Sequence, residues 1–288
     1  FIMGKNRLAE KIVELIEKYY PDITITSLRS ASDEVKYDLF RSLFSEKLDP
    51  KEIKEEIIQK VIEELENRNV LESEFISQHN RKKIYDGIPI SALQNLSPEE
   101  KIEIEIKKPW GDLGMYNQKT LRIKGNVGDF LGNKMIGGKI VVEGDAEDYT
   151  GYYMCDGELW INGNTGNVLG NYLRGGRIVV NGKAGKKIGY RMGGGEIWVK
   201  ELNLENLSFP EEMGVGKIYR GLPGEDFELV SILEILKKSE NKWIFFYFDK
   251  REEGKDFLDR AVDALTRIFL GHKNANHNIE DTIYFQYF

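Results

Sequence analysis

The densest group of side chains able to do chemistry is acidic: Asp145, Glu147, Asp148, Asp156 and Glu158 fall within one short stretch. Carboxylates set close together can act as general acid and base, or hold a hard cation such as Ca²⁺. The equivalent positions in sister copies of a repeat hold Asn126, Asn164 and Lys183, so any polar residue is accepted there and a solvated turn is the expected reading. Nitrogen and sulfur are sparse. His272 and His277 lie five apart in a Lys/Asn-rich loop, and two histidines alone leave a tetrahedral metal site incomplete. Cys155 takes a turn position held by Ile136, Arg174 and Gly193 in sister copies, with no histidine near it in sequence, so it is expected to be a plain thiol. His79 and the run Arg81-Lys82-Lys83 invite a phosphate, although three cations in a loop are ordinarily solvated.

The chain holds no G-x-S-x-G, G-x-x-x-x-G-K-[ST], H-E-x-x-H or C-x-x-C. Its glycines do not form a dinucleotide fingerprint, because strands rather than a helix follow the Gly-Gly pairs. No catalytic, cofactor-binding or metal-binding residue is assigned, and no cofactor is expected.

What would position any such group is a nineteen-residue phrase written four times without a gap, beginning at Gly125, Gly144, Gly163 and Gly182. Three columns are always glycine: 125/144/163/182, 132/151/170/189 and 138/157/176/195. A fourth, 128/147/166/185, departs from glycine only at Glu147. Regularity of this kind marks stacked coils, with glycine where a corner needs positive φ or where backbones approach too closely for a Cβ. Each phrase ends in a short strand: KIVV (139–142), ELWI (158–161), RIVV (177–180), EIWV (196–199). Alternation sends Ile140, Leu159, Ile178 and Ile197 inward together with Val142, Ile161, Val180 and Val199. The column between them, Val141, Trp160, Val179 and Trp198, faces outward, and a terminal segment or a partner is expected to cover it. Nineteen residues close a loop of roughly 60 Å, and stacking such loops gives a parallel β-helix. Leu121 to Lys124 sits one period earlier and KIYR (217–220) follows an insertion, for five or six coils in all.

The phrases EGDAEDYTG (143–151), RGGRIVVNG (174–182) and AGKKIGYRMGGGEIWV (184–199) resemble the glycine-repeat (GXGXG) β-helix domain. That domain closes the large subunit of glutamate synthase and makes up much of one non-catalytic component of the formylmethanofuran dehydrogenases. The resemblance covers roughly 101–221 and implies a right-handed parallel β-helix with a non-catalytic role. In the first family the domain is a structural spacer, and in the second it is one member of a large assembly.

The flanks differ. Residues 5–68 carry three helical patterns: Leu8 to Tyr19, Val35 to Phe44, and Ile53 to Leu65, the last opened by Asp49-Pro50. Residues 70–100 read as irregular, with a capped turn at Ser97-Pro98-Glu99-Glu100, and 101–106 alternates as a half-buried strand leading into the solenoid. After Gly221, a helix around Leu229 to Leu236, a strand Trp243 to Phe248, a helix Phe257 to Phe269 and a strand Ile283 to Phe288 suit a small α/β appendage. The two strands are apolar enough to pair together, cap the stack or join an interface. The expected organisation is mainly β: an N-terminal helical region (1–100), the β-helix (101–221) and a C-terminal α/β segment (222–288).

With 288 residues and a single cysteine, the chain needs no disulfide to fold. A net charge of -7 and a pI near 5.3 argue against nucleic acid as a partner. Without a long apolar run it reads as cytoplasmic and not membrane-bound, and its Lys, Glu and Ile content fits a thermophile. The function expected is a non-catalytic scaffold that binds a protein partner or associates with itself. The alternative is a hydrolase acting on small acyl esters through one of the three histidines.

Overall fold

A computed structural model of the chain describes residues 4–20, 29–76, 81–208, 216–230, 244–247 and 283–286. In chain order the elements are α1 (Lys5–Tyr19), α2 (Arg29–Lys47), α3 (Glu55–Arg68), β1 (Glu72–Ile76), β2 (Arg81–Asp86) and α4 (Ile88–Leu96). Then come β3 (Lys101–Glu105), β4 (Trp110–Gly111), β5 (Thr120–Lys124), β6 (Ile136–Val142), β7 (Asp156–Ile161), β8 (Arg177–Val180) and β9 (Glu196–Val199). The last are β10 (Lys217–Gly221), β11 (Phe227–Leu229), β12 (Ile244–Tyr247) and β13 (Ile283–Gln286).

The strands β3, β5, β6, β7, β8, β9 and β10 lie side by side in chain order, all parallel, in one eight-stranded sheet that β11 completes. Residue 101 pairs with 120, 120 with 139, 139 with 158, 158 with 177 and 177 with 196, each step nineteen residues. The last step, Glu196 to Lys217, is longer by two. This is a parallel β-helix of about six turns. The strand at 101 is not a lead-in but the first rung, with Ile102 against Leu121 and Ile104 against Ile123. Both inward columns are buried as expected. Val127, Ala146, Thr165 and Ala184 form a second line of parallel bridges, and Met135, Met154, Leu173 and Met192 close the third side of the core.

The glycine columns divide by cause. Gly151 and Gly176 stand for the two corner columns, where φ is +74° and +77°. In the column of Gly163 the cause is approach: a Cβ there would meet Asp145 Oδ1 at 2.2 Å and Gly144 O at 2.8 Å. The side chain in the way belongs to a ladder. Asn126, Asp145 and Asn164 each accept, through Oδ1, the backbone N–H of the residue one coil on, at 3.0, 2.7 and 2.9 Å. Asp129, Asp148 and Asn167 repeat this at 3.0, 2.6 and 2.9 Å.

The N-terminal helices close the first end of the stack. A sheet edge presents unpaired N–H and C=O groups, and α3 covers those of β3 with side chains. Glu55 Oε2 accepts from Glu103 N (2.7 Å), and Gln59 both accepts from Glu105 N (2.8 Å) and donates to Glu105 O (3.1 Å). One helix end further, buried Glu66 takes three donors on Oε1: Lys107 N, Lys108 N and Trp110 Nε1, at 2.9, 3.0 and 2.9 Å. The apolar core runs unbroken from Ile12, Phe40 and Ile58 through Ile90 and Trp110 into the coils.

Four local expectations give way. Residues 70–100 are not irregular: β1 and β2 form an antiparallel hairpin, so Arg81 to Lys83 lie in a strand, and α4 follows. Residues Ile88 to Gln94 of α4 are all buried, so the helix has no amphipathic period to betray it. Asp49 does cap, accepting from Lys51 N at 3.0 Å, but it caps a single 3-10 turn, and α3 begins only at Glu55. On α2 the buried side is Asp33, Tyr37, Phe40 and Phe44, while Val35 and Leu39 are exposed. Leu229 belongs to β11, which turns back antiparallel on β10, not to a helix. The strands β12 and β13 pair with each other in parallel, Ile244 opposite Ile283, and the remaining C-terminal helices and His79, His272 and His277 lie outside the described residues. Among the described residues no helix is long and apolar enough to cross a membrane.

Replacing Glu66 with Leu strands three N–H donors, that of Trp110 fully buried, and we expect a loss of about 3 kcal/mol in urea unfolding, with Glu66→Gln losing less. Gly163→Ala should cost roughly 1–3 kcal/mol by overpacking, whereas Gly137→Ala, whose Cβ meets nothing within 4 Å, should leave the unfolding midpoint unchanged.

Candidate interaction surface

The acidic group that first suggested chemistry is consumed by the fold. Asp145 and Asp148 are rungs of the two ladders, and Glu158 Oε2 accepts from Trp160 Nε1 at 2.9 Å and faces Lys139 at 3.2 Å. The Trp160 bond, with Lys139 beside it, holds the Glu158 carboxyl below its ordinary range. Asp156 is exposed and accepts from Gly157 N at 2.7 Å. No group of three His, Cys, Asp or Glu among the described residues is placed to hold a metal ion. Cys155 is exposed, with its Sγ directed at Tyr153 O, 3.5 Å away.

The outward apolar column is largely sheltered by its own neighbours. Val179 and Trp198 are buried, and Trp160 is half-buried. Tyr219 stacks on Trp198 at 3.9 Å, and Phe227 of β11 meets both edge-on. A device recurs every second coil. Lys139 lies over Trp160 and bonds its Glu158, and Arg177 lies over Trp198 and bonds its Glu196 at 3.0 Å. Such cation–π pairs screen the ring face.

Sequence reasoning missed a polar seam where α2, α4 and the first coil meet. Asp86 accepts from Tyr20 Oη and Lys36 Nζ, both at 3.0 Å, and from Ile88 N at 3.0 Å, which fixes the start of α4. Burial, then the Asp86 charge, drives the Tyr20 phenol far above its usual range. For Lys36 burial alone would lower the pKa, but Asp86 outweighs it and the ammonium is kept. The seam is a fastening between charged groups that are already paired. An open cleft of about 430 Å³ lies beside it, lined by Tyr37, Arg41, Asn95, Tyr116, Lys119 and Ile136. Part of its polar wall is engaged: Asn95 Nδ2 donates to Tyr37 Oη at 2.7 Å and Met115 O at 2.9 Å, and Lys119 Nζ donates to Gln94 O and Ser97 O. Burial lowers the Lys119 pKa.

The remaining surface is aromatic. On either side of the second glycine column the coils present Phe130 and Tyr149 just before it and Tyr152, Tyr153, Tyr172 and Tyr190 just after it. Phe130 stacks on Tyr149 at 4.8 Å and Tyr153 on Tyr172 at 4.6 Å, with Tyr152 edge-on between them. Arg174 lies 5.1 Å over Tyr153, and Arg191 lies 5.2 Å over Tyr190 and donates to Tyr172 Oη at 2.6 Å. The tyrosines are half-exposed. The expected ladder Asn133, Tyr152, Asn171, Tyr190 is resolved into two kinds of residue: the asparagines are buried and the tyrosines stand out. Backbone choice sharpens the point. Lys134, Tyr153, Tyr172 and Arg191 all have φ near +50°, as do Phe130, Tyr149, Val168 and Lys187 near +60°. These are corners where glycine would be easiest, and large side chains are held there at a conformational cost of order 1 kcal/mol each.

Comparison of the chain with protein-family models, curated proteins and solved structures finds no match.

Tyr152 offers a titration. Burial, and then the neighbouring Tyr153, Tyr172 and Tyr149, push its phenol up to about 12. Because the folded state holds this proton more tightly, its contribution is complete below the usual tyrosine pKa of about 10 and fades as pH rises toward 12. Urea midpoints between about pH 9.5 and 11.5 should therefore fall more steeply for the native chain than for Tyr152→Phe.

Proposed function

We propose that this chain is a non-catalytic assembly module: a right-handed β-helix like the one closing the glutamate synthase large subunit, and like the β-helical component of formylmethanofuran dehydrogenase, whose sides hold a protein partner in register. The observation that carries the reading is the ridge of tyrosines and arginines on left-handed corners. Tyrosine and arginine are the residues that dominate protein interfaces, since each offers a large, stiff contact area with a polar end. Here they are spaced by coil stacking at about 4.8 Å per rung, on a scaffold whose register is fixed by backbone ladders. The acidic group lends the hydrolase alternative no support, because Asp145 and Asp148 bond backbone of the next coil and Glu158 is tied to Trp160 and Lys139.

The test uses the full chain on a resin, incubated with extract of its native source. Wild type should retain a stoichiometric protein partner, and Tyr153→Gly/Tyr172→Gly/Arg191→Gly, which relieves the left-handed backbone, should keep the fold by circular dichroism and lose that partner. The reading fails if the purified chain instead turns over p-nitrophenyl esters saturably and replacement of His79, His272 or His277 abolishes the rate.

A further inference from the structure

The face beside the tyrosine ridge carries a charge pattern with its own symmetry. Between the first and second glycine columns of each coil, the inward residues are Val127, Ala146, Thr165, Ala184 and Leu131, Thr150, Leu169, Ile188, all buried. The outward positions of the second coil are Asp145, Asp148 and Tyr149, with Glu147 between them. In the third coil the same positions are Asn164, Asn167 and Val168, and in the fourth they are Lys183, Lys186 and Lys187. In two columns an acid, an amide and a lysine follow each other up one flat side, Asp145, Asn164, Lys183 and Asp148, Asn167, Lys186, two rungs or roughly 10 Å from end to end, with Tyr149, Val168 and Lys187 in the column beside them. The lysine side chains are exposed, and the ladder needs only their backbone N–H groups. Lys183 has Glu201 at 3.7 Å, but both are well exposed, and pairs of that kind contribute little and exchange readily.

We infer that this face pairs with the same face of a second copy, the two solenoids lying antiparallel about a two-fold axis at the level of the third coil. The inference rests on the assembly reading and names the occupant of one side of the module. A two-fold axis lying in the interface and crossing the stack keeps each column opposite itself while exchanging coil two with coil four. Asp145 then meets Lys183 of the other copy, Asp148 meets Lys186, and Tyr149 lies under Lys187, each contact occurring twice. The neutral rung of Asn164, Asn167 and Val168 meets itself. This is an isologous contact, self-complementary and closed at two copies. The parallel alternative sets coil two against coil two and coil four against coil four, so like charges face each other and that arrangement is rejected. The contact is narrow and polar, so its strength depends on salt, as expected for exposed charge pairs within about one Debye length.

Sedimentation velocity of the full chain decides it. At about 50 mM NaCl and on the order of 100 µM protein, suited to a small polar interface, the chain should be a dimer that dissociates at about 500 mM NaCl. Lys183→Glu/Lys186→Glu/Lys187→Glu leaves every ladder hydrogen bond in place and should weaken the dimer at least about tenfold, with circular dichroism confirming the fold. Because Val168 sits on the axis, Val168→Cys in a Cys155→Ser background should form a disulfide-linked dimer on mild oxidation at low salt and not at high salt. A monomer at low salt overturns the inference, as does a dimer indifferent to the triple reversal or a dimer that Val168→Cys fails to cross-link. Capture of a different protein is read instead on the resin with the Tyr153, Tyr172 and Arg191 variants, none of which lies in this contact, so the assembly reading is judged separately.

Discussion

Everything in this protein depends on one contact repeated up the stack: a short amide or carboxylate side chain of one coil accepting the backbone N–H of the next. Asn126, Asp145 and Asn164 do this on one line, and Asp129, Asp148 and Asn167 on another. Each bond needs its acceptor nineteen residues before its donor, and on the first line it also needs a missing Cβ just before the donor, where Gly144, Gly163 and Gly182 stand. A hydrogen bond to a carboxylate is stronger than one between neutral groups, but the larger effect is geometric. A coil inserted one residue out of step loses both ladders, both corner columns and the inward alternation at once, so the nineteen-residue period is enforced several times over.

A stack held this way grows indefinitely unless its ends are dealt with. At the first end α3 supplies Glu55, Gln59 and Glu66 to the open edge of β3 and the turn after it, so side chains replace the missing coil. The helix can do so because residues four apart share a face, and Glu55 and Gln59 reach alternate residues of one strand. The seam of Asp86, Tyr20 and Lys36 then fixes α4 and α2 against the same coil. At the other end the chain reverses: β11 runs antiparallel to β10 and breaks the parallel pattern on which a further coil would build.

The nineteen-residue repeat and the inward aliphatic columns were legible because periodic sequence reports periodic structure. The first rung at Lys101 was readable as a strand but not as a coil, since of the glycine columns its turn keeps only Gly114, and its other left-handed corners fall on Asp112 and Tyr116. Helix α4 was illegible for the opposite reason: Ile88 to Gln94 are all buried, polar Ser91 and Gln94 included, and burial on all faces erases the signal that marks a surface helix. On α2 the pattern was present and misleading: Val35 and Leu39 fit the period, yet Asp33 and Tyr37 occupy the buried side, where Asn95 of α4 donates to Tyr37 Oη and Tyr116 packs on its ring. The glycines themselves say where a Cβ cannot go, but not that Asp145 is the atom in its way.

Asp145 and Asp148 show why a cluster of acids in a solenoid is a poor sign of catalysis. The position asks for an acceptor at a fixed reach, which Asn and Asp both satisfy, so charge is left free to vary from coil to coil without disturbing the ladder. Lys183 and Lys186 stand in the same columns as donors only, one coil before the pattern ends. Structure sets the oxygen and leaves the sign of the side chain open, and the run from acid through amide to lysine is written in that freedom. The large residues at left-handed corners are a second case, because the fold would take glycine at Tyr153 and Tyr172 and receives tyrosine at a conformational cost. What the stack does not need is therefore concentrated on two adjoining sides, one charged and one aromatic.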